Sequence, residues 1–276
     1  MSEVRADSMD DIGVGIPILM PKPIEDDLLA EVLRYAAIGR KEGLRAARRE
    51  IAKDRAATLR IVLTLLKTLF IPRTEQYLAS DAVQSKKIDC CAGCSHCCHQ
   101  NVEVSIPEAI LVSLQVADPA DPRHAKVLEI AEAIAGMSQG ERISYRDPCP
   151  FLVDHKCSVY ENRPLLCRAT LSPSAKGCRE ALDCRLDDFQ IYTLPQFVAL
   201  GDQDALRGIC KDLGLQYDRA DLVQTVATIL RDPTTVVRWA RGEKVFKPLL
   251  KQEHQFPPPE ELQTQQPSSH RPLLSE

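Results

Sequence analysis

The sequence predicts a mainly α chain with an irregular, cysteine-rich core and a short β-hairpin. Three observations predict it. Apolar residues recur at helical spacing at Leu28, Val32 and Ala36, at Leu44, Ala47 and Ile51, at Leu59, Val62 and Leu66, and again from Leu194 to Arg241. Ten of the eleven cysteines lie between these regions, five from Cys90 to Cys98 and five from Cys149 to Cys184. The stretch from Phe151 to Tyr160 alternates enough to form a hairpin turning at Asp154-His155.

The 276 residues suffice for one large domain or two small ones. Apolar content of 44% and charged content of 27% are those of a globular chain. A net charge of -4 removes any global electrostatic case for nucleic acid. The acidic start lacks the basic and apolar regions of a secretory signal. The longest apolar stretch, Ile61 to Pro72, is interrupted by Lys67 and is far short of the roughly 20 residues a spanning helix needs. These features predict a cytoplasmic protein without a membrane span. Thiols stay reduced there, so eleven cysteines argue for metal or catalysis rather than disulfides.

Taken in order, residues 1–22 read as a mobile leader and 23–80 as a helical region. Gly39 and Gly43 are expected to break it into two helices, and Pro72 to end the second. From Arg40 to Arg60 eight Lys or Arg face three acids. This reads as a solvated face, with Glu50 and Asp54 against Arg49 and Lys53. Residues 88–190 form the cysteine domain. Within it an extended piece precedes a helix whose Ser105 and Glu108 have capping-box spacing around Pro107. A further helix is expected around Lys126 to Met137. Residues 191–250 return to helices, with Asp221 and Asp232 placed as N-caps. Residues 255–276, rich in Pro, Gln and Ser, are expected to be disordered. No internal repeat is evident, and Cys210 reads as a small buried apolar residue.

Cys91, Cys94 and Cys97 form C-x-x-C-x-x-C. Steps of three gather sulfurs around one point, and Gly93 is free to take the positive φ of a tight turn. Packed thiolates repel unless a metal stabilises the deprotonated form, so the run points to a metal centre. The adjacent pairs Cys90-Cys91 and Cys97-Cys98 fit one compact centre awkwardly, because neighbouring side chains diverge. A ferredoxin-like reading takes Cys149-Pro150 as the remote ligand, but there is no second ferredoxin run. A C-x3-C-x2-C reading through Cys90, Cys94 and Cys97 lacks the βα-barrel context of radical S-adenosylmethionine enzymes, and a thioredoxin-like pair lacks a βα context.

The run, followed about fifty residues later by Pro148-Cys149-Pro150-Phe151-Leu152, Cys157, Val159-Tyr160, Arg163-Pro164 and Cys167-Arg168, resembles the YkgJ family of bacterial cysteine-cluster proteins. That resemblance implies a zinc- or iron-chelating domain with Cys91, Cys94, Cys97, Cys98, Cys149, Cys157 and Cys167 as candidate metal ligands. It leaves Cys90, Cys178, Cys184 and Cys210 without assigned roles, although Cys178 and Cys184 could complete a site. A related cluster in flagellin lysine N-methylases raises a minor methyl-transfer reading, for which the chain shows no glycine-rich cofactor loop.

The second cysteine block should act as a lid on the first, with Phe151, Leu152, Val159 and Tyr160 as an apolar shell. Arg163 and Arg168 are placed either to offset thiolate charge or to pair with acids such as Glu161. His96 and His99 read as neighbours of the centre rather than ligands, and His155 as exposed. Glu141, Asp187 and Asp188 are treated as ordinary solvated acids. Intervals of seven and nine residues between the later cysteines are unlike paired zinc knuckles, so an iron–sulfur cluster, 4Fe–4S in form, is the first reading and zinc the second. The first implies redox, sensing or cofactor work with a redox or protein partner. The second implies a structural staple beside a helical partner-binding surface. No catalytic residue is assignable.

Overall fold

The computed structural model describes residues 38–47, 49, 57–183 and 191–246. The leader, the tail, Cys184, Asp187, Asp188 and the pairs involving Glu50, Lys53 and Asp54 lie outside them. In order, the elements are α1 (38–47), α2 (Thr58–Leu65), a π-helical turn (Leu66–Phe70), α3 (Ile71–Leu78) and α4 (Asp81–Gln84). A 3-10 turn (His96–His99), β1 (Glu103–Ser105), α5 (Ile106–Ser113), α6 (Pro122–Ala133) and α7 (Gln139–Ser144) follow. Then come β2 (Leu152–Val153), β3 (Lys156–Cys157), a 3-10 turn (Tyr160–Asn162), α8 (Leu165–Ala169) and α9 (Ala175–Asp183). The chain continues with α10 (Thr193–Asp212), β4 (Arg219–Asp221), α11 (Leu222–Arg231) and α12 (Thr234–Ala240). Among the described residues the fold is mainly helical, as the sequence predicts, with two small two-stranded sheets, one of them the expected hairpin. Among the described residues no helix is long and apolar enough to cross a membrane.

Three expectations about the helices need correction. Gly39 and Gly43 do not break the chain but lie within α1. Gly43 is a close-approach residue, since a Cβ there would come within 2.4 Å of the Ile209 side chain on α10. Pro72 does not end its helix. It sits in the first turn of α3, after the chain widens into the π turn, where the missing N–H costs little. The helix expected near Lys126 also starts earlier, at Pro122, because Asp121 caps it by accepting from the Arg123 N–H at 2.9 Å.

β1 and β4 pair antiparallel, with Glu103 opposite Asp221 and Ser105 opposite Arg219. Each strand runs directly into a helix, α5 and α11, and the two helices pack together. Each helix is capped at its strand junction: Ser105 and Glu108 make the expected capping box, and Asp221 accepts from the Gln224 N–H at 3.0 Å. The strand–cap–helix unit is therefore used twice, a repeat of structure without a repeat of sequence. Asp232 closes α11 as its C-cap residue, and its carboxylate accepts from the Thr234 N–H at the start of α12.

Glu108, 2% exposed, ties three elements together. Its carboxylate accepts from the Ser105 N–H (2.7 Å) and hydroxyl (2.6 Å), from the Leu165 N–H at the start of α8 (2.8 Å), and from the Gln203 amide of α10 (2.9 Å). Four donors on one buried carboxylate compensate its desolvation. Glu108→Ala leaves those donors unpaired and should cost about 3 kcal/mol, with a fall in the thermal midpoint on the order of 10 °C.

Glu103 is the opposite case. Desolvation raises its carboxyl to about 7, with Arg219 at 3.9 Å opposing the shift. The folded state therefore keeps a proton that the unfolded chain releases near pH 4.5. That stabilisation is present at acid pH and is lost as pH rises toward 7. The gain in thermal midpoint of Glu103→Gln over the natural protein should thus increase from pH 5 to pH 8. A difference that does not change with pH would refute the assignment.

Candidate metal centre

The first cysteine run has no regular structure up to the 3-10 turn. Cys94 N–H donates to Cys91 O at 3.0 Å and closes a tight turn, with Gly93 at φ 89°. Cys97 and Cys98 then sit on the 3-10 turn, where Cys98 N–H bonds to Ser95 O at 2.9 Å. The second run returns against the first through a backbone bond, Cys149 N–H to Cys98 O, at 2.7 Å.

From Cys149 the chain makes the expected hairpin. Leu152 pairs with Cys157 and Val153 with Lys156, while Asp154 (φ 49°) and His155 (φ 61°) form the turn. Two positive φ values suit the right-handed twist of a two-residue hairpin loop. His155 is exposed, and its ring lies 3.4 Å from the Ser95 hydroxyl, so the hairpin tip touches the first cysteine run. Phe151 and Val159, each 1% exposed, plug into the core with Val104, Ala109, Val223 and Val226. The backbone N–H groups of these same two residues favour the thiolate form, Phe151 that of Cys149 and Val159 that of Cys157, against the larger effect of desolvation. One residue thus anchors the loop on its apolar side and polarises a thiol through its backbone. Tyr160, by contrast, is 55% exposed and not part of an enclosing shell.

Cys167 lies on α8, whose first N–H is held by Glu108. The next residue, Arg168, is buried and committed elsewhere: it ion-pairs with Glu75 and donates to the carbonyls of Arg163 (3.0 Å) and Glu161 (2.6 Å). Arg163 stacks on the Tyr160 ring at 4.2 Å. Its charge favours the thiolate form of Cys97, Cys157 and Cys167. Of the two readings for these arginines, Arg163 follows the charge-offsetting one. Arg168 mainly holds the loop, while still favouring the Cys157 thiolate.

The thiols share one neighbourhood. Cys97, Cys149, Cys157 and Cys167 each feel the charge of the others. All four are raised, Cys149 to about 12 by desolvation and Cys97 first by its hydrogen bond with Cys98. Cys94 and Cys98 are half-buried, and Cys91 is exposed. Cys90 and Cys178, which the sequence left unassigned, also lie beside Cys97. Cys210 is fully buried on α10, away from the run, as expected. His99 is held by the Arg146 carbonyl at 2.9 Å, and Glu141 is engaged in a capping box with Ser138. Among the described residues no three side chains already converge at ligating distance. The donor set nonetheless fits a thiophilic metal: soft sulfurs, amide groups that favour their thiolate form, a nearby cation and little competing carboxylate.

Residues 90–187 match the CxxCxxCC family model, described as a "Putative zinc- or iron-chelating domain". The matched segment is similar to the cysteine domain of that family. No significant match was found among the curated proteins or among the solved structures.

Two outcomes check this geometry. Phe151→Ala should cost about 3 kcal/mol and weaken metal retention against a chelator, while Val153→Ala, on the exposed hairpin edge, should change neither. Raised thiols must lose protons to bind metal, so apparent affinity should climb with pH from 6 to 8.5. The slope expected is about tenfold per pH unit for each proton displaced.

Proposed function

We propose that the chain holds an iron–sulfur cluster, 4Fe–4S in form, on Cys97, Cys149, Cys157 and Cys167, and serves a redox, sensing or cofactor role. Cys91, Cys94 and Cys98 complete the candidate ligand set around it. The observation that supports the reading is that the remote thiols Cys149, Cys157 and Cys167 lie within electrostatic reach of Cys97, while the Cys149 N–H bonds to the Cys98 carbonyl at 2.7 Å. Hydrogen bonds to sulfur and a nearby guanidinium are what tune such a centre. When bound, the cluster supplies one-electron chemistry. The chain's own part is to fix the sulfurs, exclude water with Phe151 and Val159, and balance negative charge with Arg163.

Zinc as a structural staple is the second reading, with the helices as a partner-binding surface. It is favoured by the shortness of the elements around the site, two-residue strands and a five-residue helix, which benefit from a metal tie.

Anaerobic purification followed by metal, sulfide and visible-absorption analysis separates the two. Iron with acid-labile sulfide and a coloured protein is expected, with colour lost in Cys149→Ser and kept in Cys210→Ser. Colourless protein with stoichiometric zinc and no sulfide would sink the iron–sulfur reading.

A further inference from the structure

The second cysteine run touches the first at two points of unequal strength. At the root of the hairpin the Cys149 N–H donates to the Cys98 carbonyl at 2.7 Å, and the Phe151 carbonyl accepts from the Ser158 N–H at 2.8 Å and its hydroxyl at 2.9 Å. The buried side chains of Phe151 and Val159 fix that end in the core. At the tip the tie is the Ser95 hydroxyl, 3.4 Å from Nδ1 of His155, a length at the weak limit of a hydrogen bond. Between root and tip, Val153, Asp154, His155 and Lys156 are all exposed, and the ladder that joins β2 to β3 is two residue pairs long. A segment with so few buried contacts opens locally at small cost, while its buried root stays closed.

The tip contact sits beside the candidate ligands on both chains. Ser95 is buried, 7% exposed, between Cys94 and Cys97. His155 precedes Cys157 by two residues and leads directly into β3. Holding His155 on Ser95 therefore holds the strand of Cys157 against the run of Cys94 and Cys97.

We propose that the hairpin is a lid on the metal centre, and that Ser95 and His155 are positioning residues that latch it. The lid opens at the tip, pivots on the Phe151 and Val159 root, and admits or releases metal before Cys157 closes on it. The inference rests on the proposed metal centre and adds how metal enters and leaves it.

A latch has a kinetic signature. Weakening it raises the open population with and without metal, so uptake and release both quicken while the equilibrium affinity is unchanged. A contact that only orients ligands around bound metal would instead lower affinity through faster release.

The test uses the reduced full-length chain with zinc alone as the probe, uptake being followed by stopped flow and release into excess chelator. Ser95→Ala removes the hydroxyl, and His155→Asn removes the ring while keeping a residue that tolerates the positive φ of that position, 61°. Each should speed uptake and release by about threefold to tenfold, the scale of one net hydrogen bond, with zinc stoichiometry and the thermal midpoint of the metal-free protein unchanged. The double variant should do no more than either single one, because both remove the same contact. Faster release with unchanged uptake, or neither rate changed in either variant, overturns the lid and leaves the centre standing. A natural protein that takes up neither zinc nor iron removes the centre itself, and the lid with it.

Discussion

The buried carboxylate of Glu108 is the constraint on which the rest of the structure depends. A polar group in a protein interior persists only when hydrogen-bond partners replace its water, and here they come from three separate parts of the chain. One side of the carboxylate completes the cap of α5, another holds the first turn of α8, and α10 closes over it through Gln203. Because α8 carries Cys167 and Arg168, an electrostatic requirement of the helical core also places part of the cysteine site.

The same economy governs the hairpin. Phe151 and Val159 are core residues by their side chains, and their backbone N–H groups favour the thiolate forms of Cys149 and Cys157. Burial of roughly two large apolar side chains, on the order of 3–6 kcal/mol, therefore acts on the position of Cys149 and Cys157 without any metal present. The turn residues Asp154 and His155 adopt positive φ so that both ends of the hairpin return to the core. The thiols are neighbours because of ordinary packing, and desolvation leaves them protonated until a cation displaces the protons.

Around this arrangement the two strand–cap–helix units provide a rigid frame. Their strands pair through Glu103, Arg219 and Asp221, and the raised Glu103 carboxyl makes this polar contact sensitive to pH. Arg142 reaches Asp221 at 2.8 Å and links the frame to the loop that leads into Cys149. Charge, capping and sulfur placement are thus coupled along one stretch of chain.

The sequence by itself determined the helical class, the capping box at Ser105 and Glu108, the N-cap at Asp221, the hairpin turn at Asp154-His155 and the cysteine motif. All of these depend on residues close in the chain, where local stereochemistry decides. It did not reveal that Gly39 and Gly43 lie within α1, because the reason for glycine there is tertiary: a Cβ would meet the Arg73 side chain at Gly39 and the Ile209 side chain at Gly43. Nor did it reveal that Pro72 starts α3, since a π turn absorbs the missing N–H. The hydrogen bonds of Cys90 and Cys178 to Ser172, and the separate duties of Arg163 and Arg168, were decided only by tertiary structure. Which side chains share a neighbourhood is set by the packing of α8, α9 and α10, a long-range property that spacing along the chain does not encode.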